Sequence, residues 1–244
     1  MPKSNGKQGK IMSKLSDFEI TKKWPASNPD VIQLYSLPTP NGVKVSVALE
    51  EMGLDYEPHL VDFGSQDQMS PEFISLSSNN KIPAIIDPNG PGGDAIGLFE
   101  SGAILIYLAE KSGKLLSSNP AKRYETIQWL MFQMGGAGPM FGQLGFFTKF
   151  AGAEIEDPRP RQRYIDETIR LLGVVEKRLT GRDWLVDDYS IADIALAPWL
   201  KTLITFYDAG ELLGWENFPN VDAYIKRFSA RPAVEKGATI PGRP

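Results

Sequence analysis

Val31-Ile32-Gln33-Leu34-Tyr35-Ser36-Leu37-Pro38-Thr39-Pro40-Asn41-Gly42 is the stretch that decides how the rest of the chain is read. Val31 to Tyr35 is apolar and β-prone, which predicts a strand. Pro38 and Pro40 stop it, and they push Leu37 and Thr39 toward extended backbone. Val43, Val47, Ala48 and Leu49 then mark the apolar side of a short helix that Gly53 ends at the C′ position. A strand that passes through a stiff turn into a helix leaves the first N–H groups of that helix free at the turn.

Downstream, His59-Leu60-Val61 belongs to a second strand, followed by an irregular helix. Ala84-Ile85-Ile86-Asp87 and Ala95-Ile96-Gly97-Leu98-Phe99 flank a turn-rich segment and predict a hairpin. The glycines at 90, 92 and 93 do not make a phosphate loop, because no Gly-Lys-Ser/Thr follows and the next element is a strand. Ile104, Leu105, Tyr107 and Leu108 lie on one side of a further helix. The order is a βαβ half followed by a ββα half, which is the thioredoxin-like arrangement.

Ser117-Ser118-Asn119-Pro120 reads as a linker, and the pattern beyond it is helical. Ile127, Leu130, Met131 and Met134 repeat at helical spacing, as do Ile165, Ile169, Leu172, Val175 and Leu179. Gly135-Gly136-Ala137-Gly138-Pro139 is expected to end or kink the first of these helices. Tyr189-Ser190-Ile191-Ala192-Asp193-Ile194 predicts a helix start, with Ser190 as N-cap and Asp193 as the acid of a capping box. The fold class is therefore α/β plus all-α. The expected divisions are an N-terminal extension over 1–30, a thioredoxin-like domain over 31–116 and an all-helical domain over 117–244.

Composition narrows the chemistry. Twenty-six Lys and Arg against 30 Asp and Glu give a net charge of −4, which argues against general nucleic-acid binding. There is no cysteine and a single histidine, His59. Disulfides, thiolate metal sites, a cysteine nucleophile and a multi-histidine metal site are all excluded. His59 reads as an ordinary strand residue. No segment has the apolar length needed to span a membrane. Lys3, Lys7, Lys10, Lys14, Lys22 and Lys23 crowd the first 30 residues, which read as a solvated extension, with a docking arm for a partner subunit as the alternative.

Three junctions carry candidate chemistry, and together they suit a small thiol peptide whose sulfur arrives with the ligand. A free thiol has a pKa near about 8.5, so it needs donors or positive potential aimed at sulfur to ionise at neutral pH. Thr39 offers a hydroxyl, Asn41 an amide, and the helix behind them its N-terminal N–H groups. Asn41 also fits an ordinary helix N-cap. Ile82-Pro83 precedes an apolar strand. A cis bond there would turn the Ile82 backbone outward to pair with an extended peptide, while a trans proline would simply open the strand. Ser101 suits a carboxylate at a helix start and Glu100 an ammonium, and a plain capped helix start fits the same residues. Met140, Phe141, Phe146, Phe147 and Phe150 suit an acceptor site, a dimer groove or core packing.

These segments resemble the glutathione transferase superfamily, and more narrowly its bacterial nu-class and fungal Ure2-like branch. The resemblance rests on Thr39-Pro40-Asn41-Gly42, Asn79-Asn80-Lys81-Ile82-Pro83-Ala84-Ile85, Phe99-Glu100-Ser101-Gly102 and Tyr189-Ser190-Ile191-Ala192-Asp193, and it covers about 210 residues. It implies that Thr39 and Asn41 hold the glutathione sulfur as the catalytic pair. Gln68 and Lys81 would contact the glycyl end, and Ile82 before a cis Pro83 would clamp the cysteinyl unit. Glu100 and Ser101 would take the γ-glutamyl group. Tyr35 and Ser36 stand as alternative sulfur ligands, since many transferases use a Tyr or Ser hydroxyl. The implied activity is glutathione-dependent disulfide reduction by a cytoplasmic homodimer, with two reduced glutathiones or oxidised glutathione per site and no metal. A small-molecule disulfide or electrophile would be the other substrate. Conjugation, peroxide reduction and a non-enzymatic regulatory role are the alternatives.

Overall fold

In the computed structural model, which describes residues 13–242, the opening stretch folds as its composition dictates. Strand β1 is Ile32–Ser36 and helix α1 is Pro40–Met52. Thr39 is the N-cap of α1, Pro40 takes its first position and Gly53 closes it in the left-handed region at φ 68°. Strand β2 (Tyr56–Leu60), the short helix α2 (Pro71–Leu76), β3 (Ala84–Asp87), β4 (Ile96–Phe99) and α3 (Ser101–Ser112) follow. The sheet order is β2-β1-β3-β4, with β1 and β2 parallel and the other pairs antiparallel. Leu34 lies opposite Ile85, which lies opposite Leu98. The thioredoxin-like reading holds, including the β3–β4 hairpin.

Alternation along the strands sends side chains to two different cores. Leu34 and Ile85 face α1 and α3 and join a core continuous with the helical half. Tyr35, Ala84 and Ile86 face the other way, toward Phe73 and Leu76. That second face is completed from upstream, which corrects the expectation of a solvated extension for residues 13–24, while residues 25–30 are largely exposed. Ile20 is fully buried there. The Trp24 ring meets Tyr35 and Phe73 edge-on, and its indole N–H donates to the Leu60 carbonyl at 3.0 Å. The Ala95 N–H donates to the Ser13 carbonyl at 2.9 Å. Leu15, Phe18, Ile20 and Trp24 interleave the lysines, and the sheet face needs a cover. Lys3, Lys7 and Lys10 lie outside the described residues.

The helical half comprises α4 (Pro120–Phe132), α5 (Gly138–Lys149), α6 (Pro158–Leu179), α7 (Ile191–Thr205), α8 (Gly210–Leu213), α9 (Pro219–Ser229) and α10 (Pro232–Gly237). Asn119 caps α4 by accepting from the Ala121 and Lys122 N–H groups. The glycine-rich segment does not end the helix. Gln133–Ala137 form a π-helical turn that runs directly into α5. The buried side of α4 is Thr126, Trp129 and Leu130, while Met131 is exposed. On α6, Thr168 and Leu171 take the inward place expected of Ile169, which is exposed.

The capping box forms as read: Asp193 accepts from the Ser190 N–H at 2.9 Å, and also from the Leu185 N–H and the Tyr224 hydroxyl. Helices α3, α7 and α10 all pack on α1. His59 stays within its strand, stacked on Tyr35 and bonded to Gln33. No helix among the described residues is long and apolar enough to cross a membrane.

If the segment before β1 is part of the core, Ile20→Ala will cost about 2–5 kcal/mol, as truncation of a buried aliphatic does. Urea unfolding measures it, and an unchanged midpoint would show the segment to be dispensable.

Candidate functional site

The turn after β1 places Thr39 and Asn41 differently from each other. Thr39 is extended, and its Oγ1 accepts from the Gly42 N–H at 3.3 Å. Thr39 is therefore the cap of α1, and the reading of Asn41 as that cap does not hold. Its hydroxyl proton is still free to donate. Asn41 is the second residue of the helix, where its Oδ1 accepts from the Trp199 indole N–H of α7 at 2.9 Å. An indole nitrogen only donates, so the Asn41 amide is fixed oxygen-inward and its NH2 is left for the cleft.

Asn41, Lys81, Ile82, Pro83, Glu100 and Ser101 line one cleft of about 480 Å³ between the sheet half and the helical half. The Ile82–Pro83 peptide is cis. Glu100 joins β4 to α3 at φ 71° and ψ 108°, outside the basins a side-chain-bearing residue prefers, which costs on the order of 1–3 kcal/mol. That backbone exposes the Glu100 carboxylate and starts α3 at Ser101. Ser101 is buried, and its Oγ accepts from Lys44 at 3.3 Å.

Thr39 lines a neighbouring hollow of about 490 Å³, with Val43, Pro198, Thr202 and Phe206. Gln68 lines neither space. It lies on the single turn Asp67–Met69, which Asn80 joins to the loop before β3 through Met69 Sδ. The Gln68 Oε1 is buried and accepts no hydrogen bond among the described residues. Tyr35 and Ser36 are not brought to the cleft. Tyr35 is fully buried on the far face of the sheet, where desolvation pushes its pKa up, and Ser36 is buried behind the turn. Of the aromatic run, Phe141 is core, Phe147 stacks on Tyr164, and Phe146 and Phe150 are exposed.

Sequence reasoning missed Lys44, Gln133, Met134 and Trp199, which also line the cleft. Lys44 is 1% exposed, although its charge would ordinarily keep it at the surface. Its Nζ donates to Gln133 Oε1 at 2.6 Å and contacts Met134 Sδ at 3.5 Å. Burial lowers its pKa to about 7, against a weaker opposing pull from Glu100. One signal for it was present: a lysine three residues after Asn41, set among Val43, Val45 and Val47. Trp199 follows a proline inside α7 and gave none.

Both halves of the chain match a known family. Residues 30–110 match the family described as glutathione S-transferase, N-terminal domain, and residues 142–232 its C-terminal domain. The chain is 45% identical over 206 residues to the disulfide-bond oxidoreductase YfcG of Escherichia coli, covering 84% of this chain and 93% of that protein. Two solved structures are closer in sequence. A glutathione transferase from Pseudomonas putida, with one glutathione disulfide bound per subunit, is 63% identical at a TM-score of 0.94, covering 94% of this chain and 100% of that one. One from Burkholderia graminis, with two glutathione molecules per subunit, is 65% identical at 0.93, covering 96% and 98%.

The turn tolerates no side chain at Gly42, where a Cβ would lie 1.9 Å from the Leu37 carbonyl oxygen and 2.5 Å from Ser36 Oγ. Gly42→Ala is expected to cost about 1–3 kcal/mol through displacement of the turn. Thermal unfolding checks this, and an unchanged midpoint would mean the turn yields freely.

Proposed function

The chain belongs to the glutathione S-transferase family, and from that premise we propose that it is a glutathione-dependent disulfide-bond oxidoreductase. One observation carries the reading: a chain without cysteine aims the Asn41 amide, oriented by Trp199, into a cleft that also holds Lys81, Ile82, Glu100 and Ser101. The protein offers donors and position, and the sulfur chemistry comes with the ligand.

Glutathione fits these residues by charge. Glu100 suits its α-ammonium, Ser101 its γ-glutamyl carboxylate, and Lys81 its glycyl carboxylate, which Gln68 would reach from the turn outside the cleft. Ile82 supplies a backbone edge for the cysteinyl unit, Asn41 donates to sulfur from the cleft, and Thr39 donates to it from the adjoining hollow. A thiolate held this way attacks one sulfur of a substrate disulfide. The S–S bond breaks, a mixed disulfide forms, and the displaced thiolate takes a proton from water. A second glutathione thiolate attacks the mixed disulfide, releasing the second substrate thiol and oxidised glutathione. One disulfide is reduced and two glutathione thiols are oxidised. Two reduced molecules, or one oxidised, then occupy the site, as in the two solved relatives. In this reading the enzyme is a cytoplasmic nu-class homodimer, divided between a thioredoxin-like domain ending near residue 116 and the helical domain.

A second reading draws on the more apolar hollow beside Thr39, whose Val43, Pro198 and Phe206 would suit a hydrophobic electrophile and hence conjugation. Reduction of 2-hydroxyethyl disulfide, coupled to glutathione reductase, separates the two when run beside conjugation to a chloronitroarene. Disulfide turnover should dominate. Asn41→Ala is expected to lower its kcat/KM at least about tenfold, or roughly 1.4 kcal/mol. Trp199→Phe, which frees the amide to rotate, should lower kcat by about three- to tenfold. Background disulfide turnover with brisk conjugation would replace the first reading with the second.

A further inference from the structure

Among the described residues, the buried lysine beneath the cleft has no carboxylate in hydrogen-bond or ion-pair contact. Lys44 is held by Gln133 Oε1, Ser101 Oγ and Met134 Sδ, all uncharged. A buried cation normally sits against an anion, because its desolvation is otherwise uncompensated. The neighbouring elements supply none within contact. From the β4–α3 junction, Glu100 acts on Lys44 only through space. The loop before β3 brings Lys81, a like charge, and α7 brings the neutral Trp199. Helix α10 meets α1 across Ser46 and Val47, and its Lys236 pairs with Glu50.

We propose that Lys44 is a positioning residue whose ammonium is the buried counter-charge for the ligand, acting through the Ser101 hydroxyl on the carboxylate bound there. This rests on the glutathione reading above. Ser101 Oγ accepts from Lys44, and its hydroxyl donates weakly to Met134 Sδ at 3.6 Å, a contact that a carboxylate bound in the cleft would displace. Below about pH 7 the Lys44 contact leaves one positive charge under the site until an anion arrives.

A proton linkage follows. Without ligand, burial lowers the pKa of Lys44 to about 7, so above that value the free protein holds it largely neutral. A carboxylate one hydroxyl away favours the ammonium and raises the pKa. Binding therefore takes up a proton from the buffer when the pH lies above the free-protein value, and takes up almost none below it, where Lys44 is already charged. Thiol ionisation runs in the opposite direction and must be kept out of the measurement.

The test is isothermal titration calorimetry of S-methylglutathione, which carries both carboxylates and no thiol, into the full chain in buffers of differing ionisation enthalpy. At about pH 8 most of one proton per site should be taken up, and at about pH 6 almost none. Lys44→Arg, always charged, should bind with no uptake at either pH. Lys44→Met should bind at least about tenfold more weakly at pH 6, also without uptake. Binding by the unaltered protein without uptake at pH 8 would overturn the role of Lys44 and leave the glutathione reading standing. Failure of that protein to bind S-methylglutathione at all would overturn the glutathione reading, and this inference with it.

Discussion

The hydrogen bond from the Trp199 indole to the Asn41 amide oxygen joins the two halves of the molecule in the wall of the cleft. It is a long-range contact, 158 residues apart in sequence, made by a group that can only donate to one that can do either. The helical half thereby selects which face of the amide the cleft sees. The remainder of the architecture keeps that contact in register. Helix α1 is packed by α3, α7 and α10. Arg231 at the start of α10 binds Glu51 through two hydrogen bonds, so the far end of α1 is tied down as well.

The electrostatics of the cleft have one consistent sense. The N-terminus of α1 presents positive dipole character, Lys81 lies at the rim, and Lys44 lies beneath with only neutral partners. Glu100 is the one acid among the lining residues and stands apart on a junction whose backbone is held out of its preferred basins. Such a field is suited to an anion that carries a single cationic end. The sheet face on the opposite side is covered by Leu15, Phe18, Ile20 and Trp24.

Much of this was legible from local sequence. Prolines at 38 and 40, Gly53 and the Ser190–Asp193 capping box act within a few residues of themselves, so their consequences can be read without knowing the fold. The hairpin and the order of strands followed from period and turn chemistry. What failed was non-local. Leu15, Phe18, Ile20 and Trp24 look like stray apolar residues in a lysine-rich stretch until the uncovered sheet face is seen. Lys44 looks like a surface lysine until Gln133 is brought beside it from 89 residues away. Asn41 looks like a cap because the competing cap, Thr39, is itself a good one, and only tertiary contact separates their roles.

The π-helical turn at Gln133–Ala137 has an implication for insertions and deletions. A π turn holds one residue more than an α turn, and one residue corresponds to about 100° of rotation around a helix axis. Everything after it in α5 is therefore phased by that extra residue, which sets Phe141 and Leu144 into the core. A Cβ added at Gly135 or Gly136 would meet nothing within 4 Å, so a side chain at either is sterically tolerated, whereas a deletion would alter the phase. The penalty would appear downstream, where the apolar face of α5 would swing toward solvent. Length at this position is thus under tighter constraint than side-chain identity, the reverse of what holds in the exposed turns between the other helices.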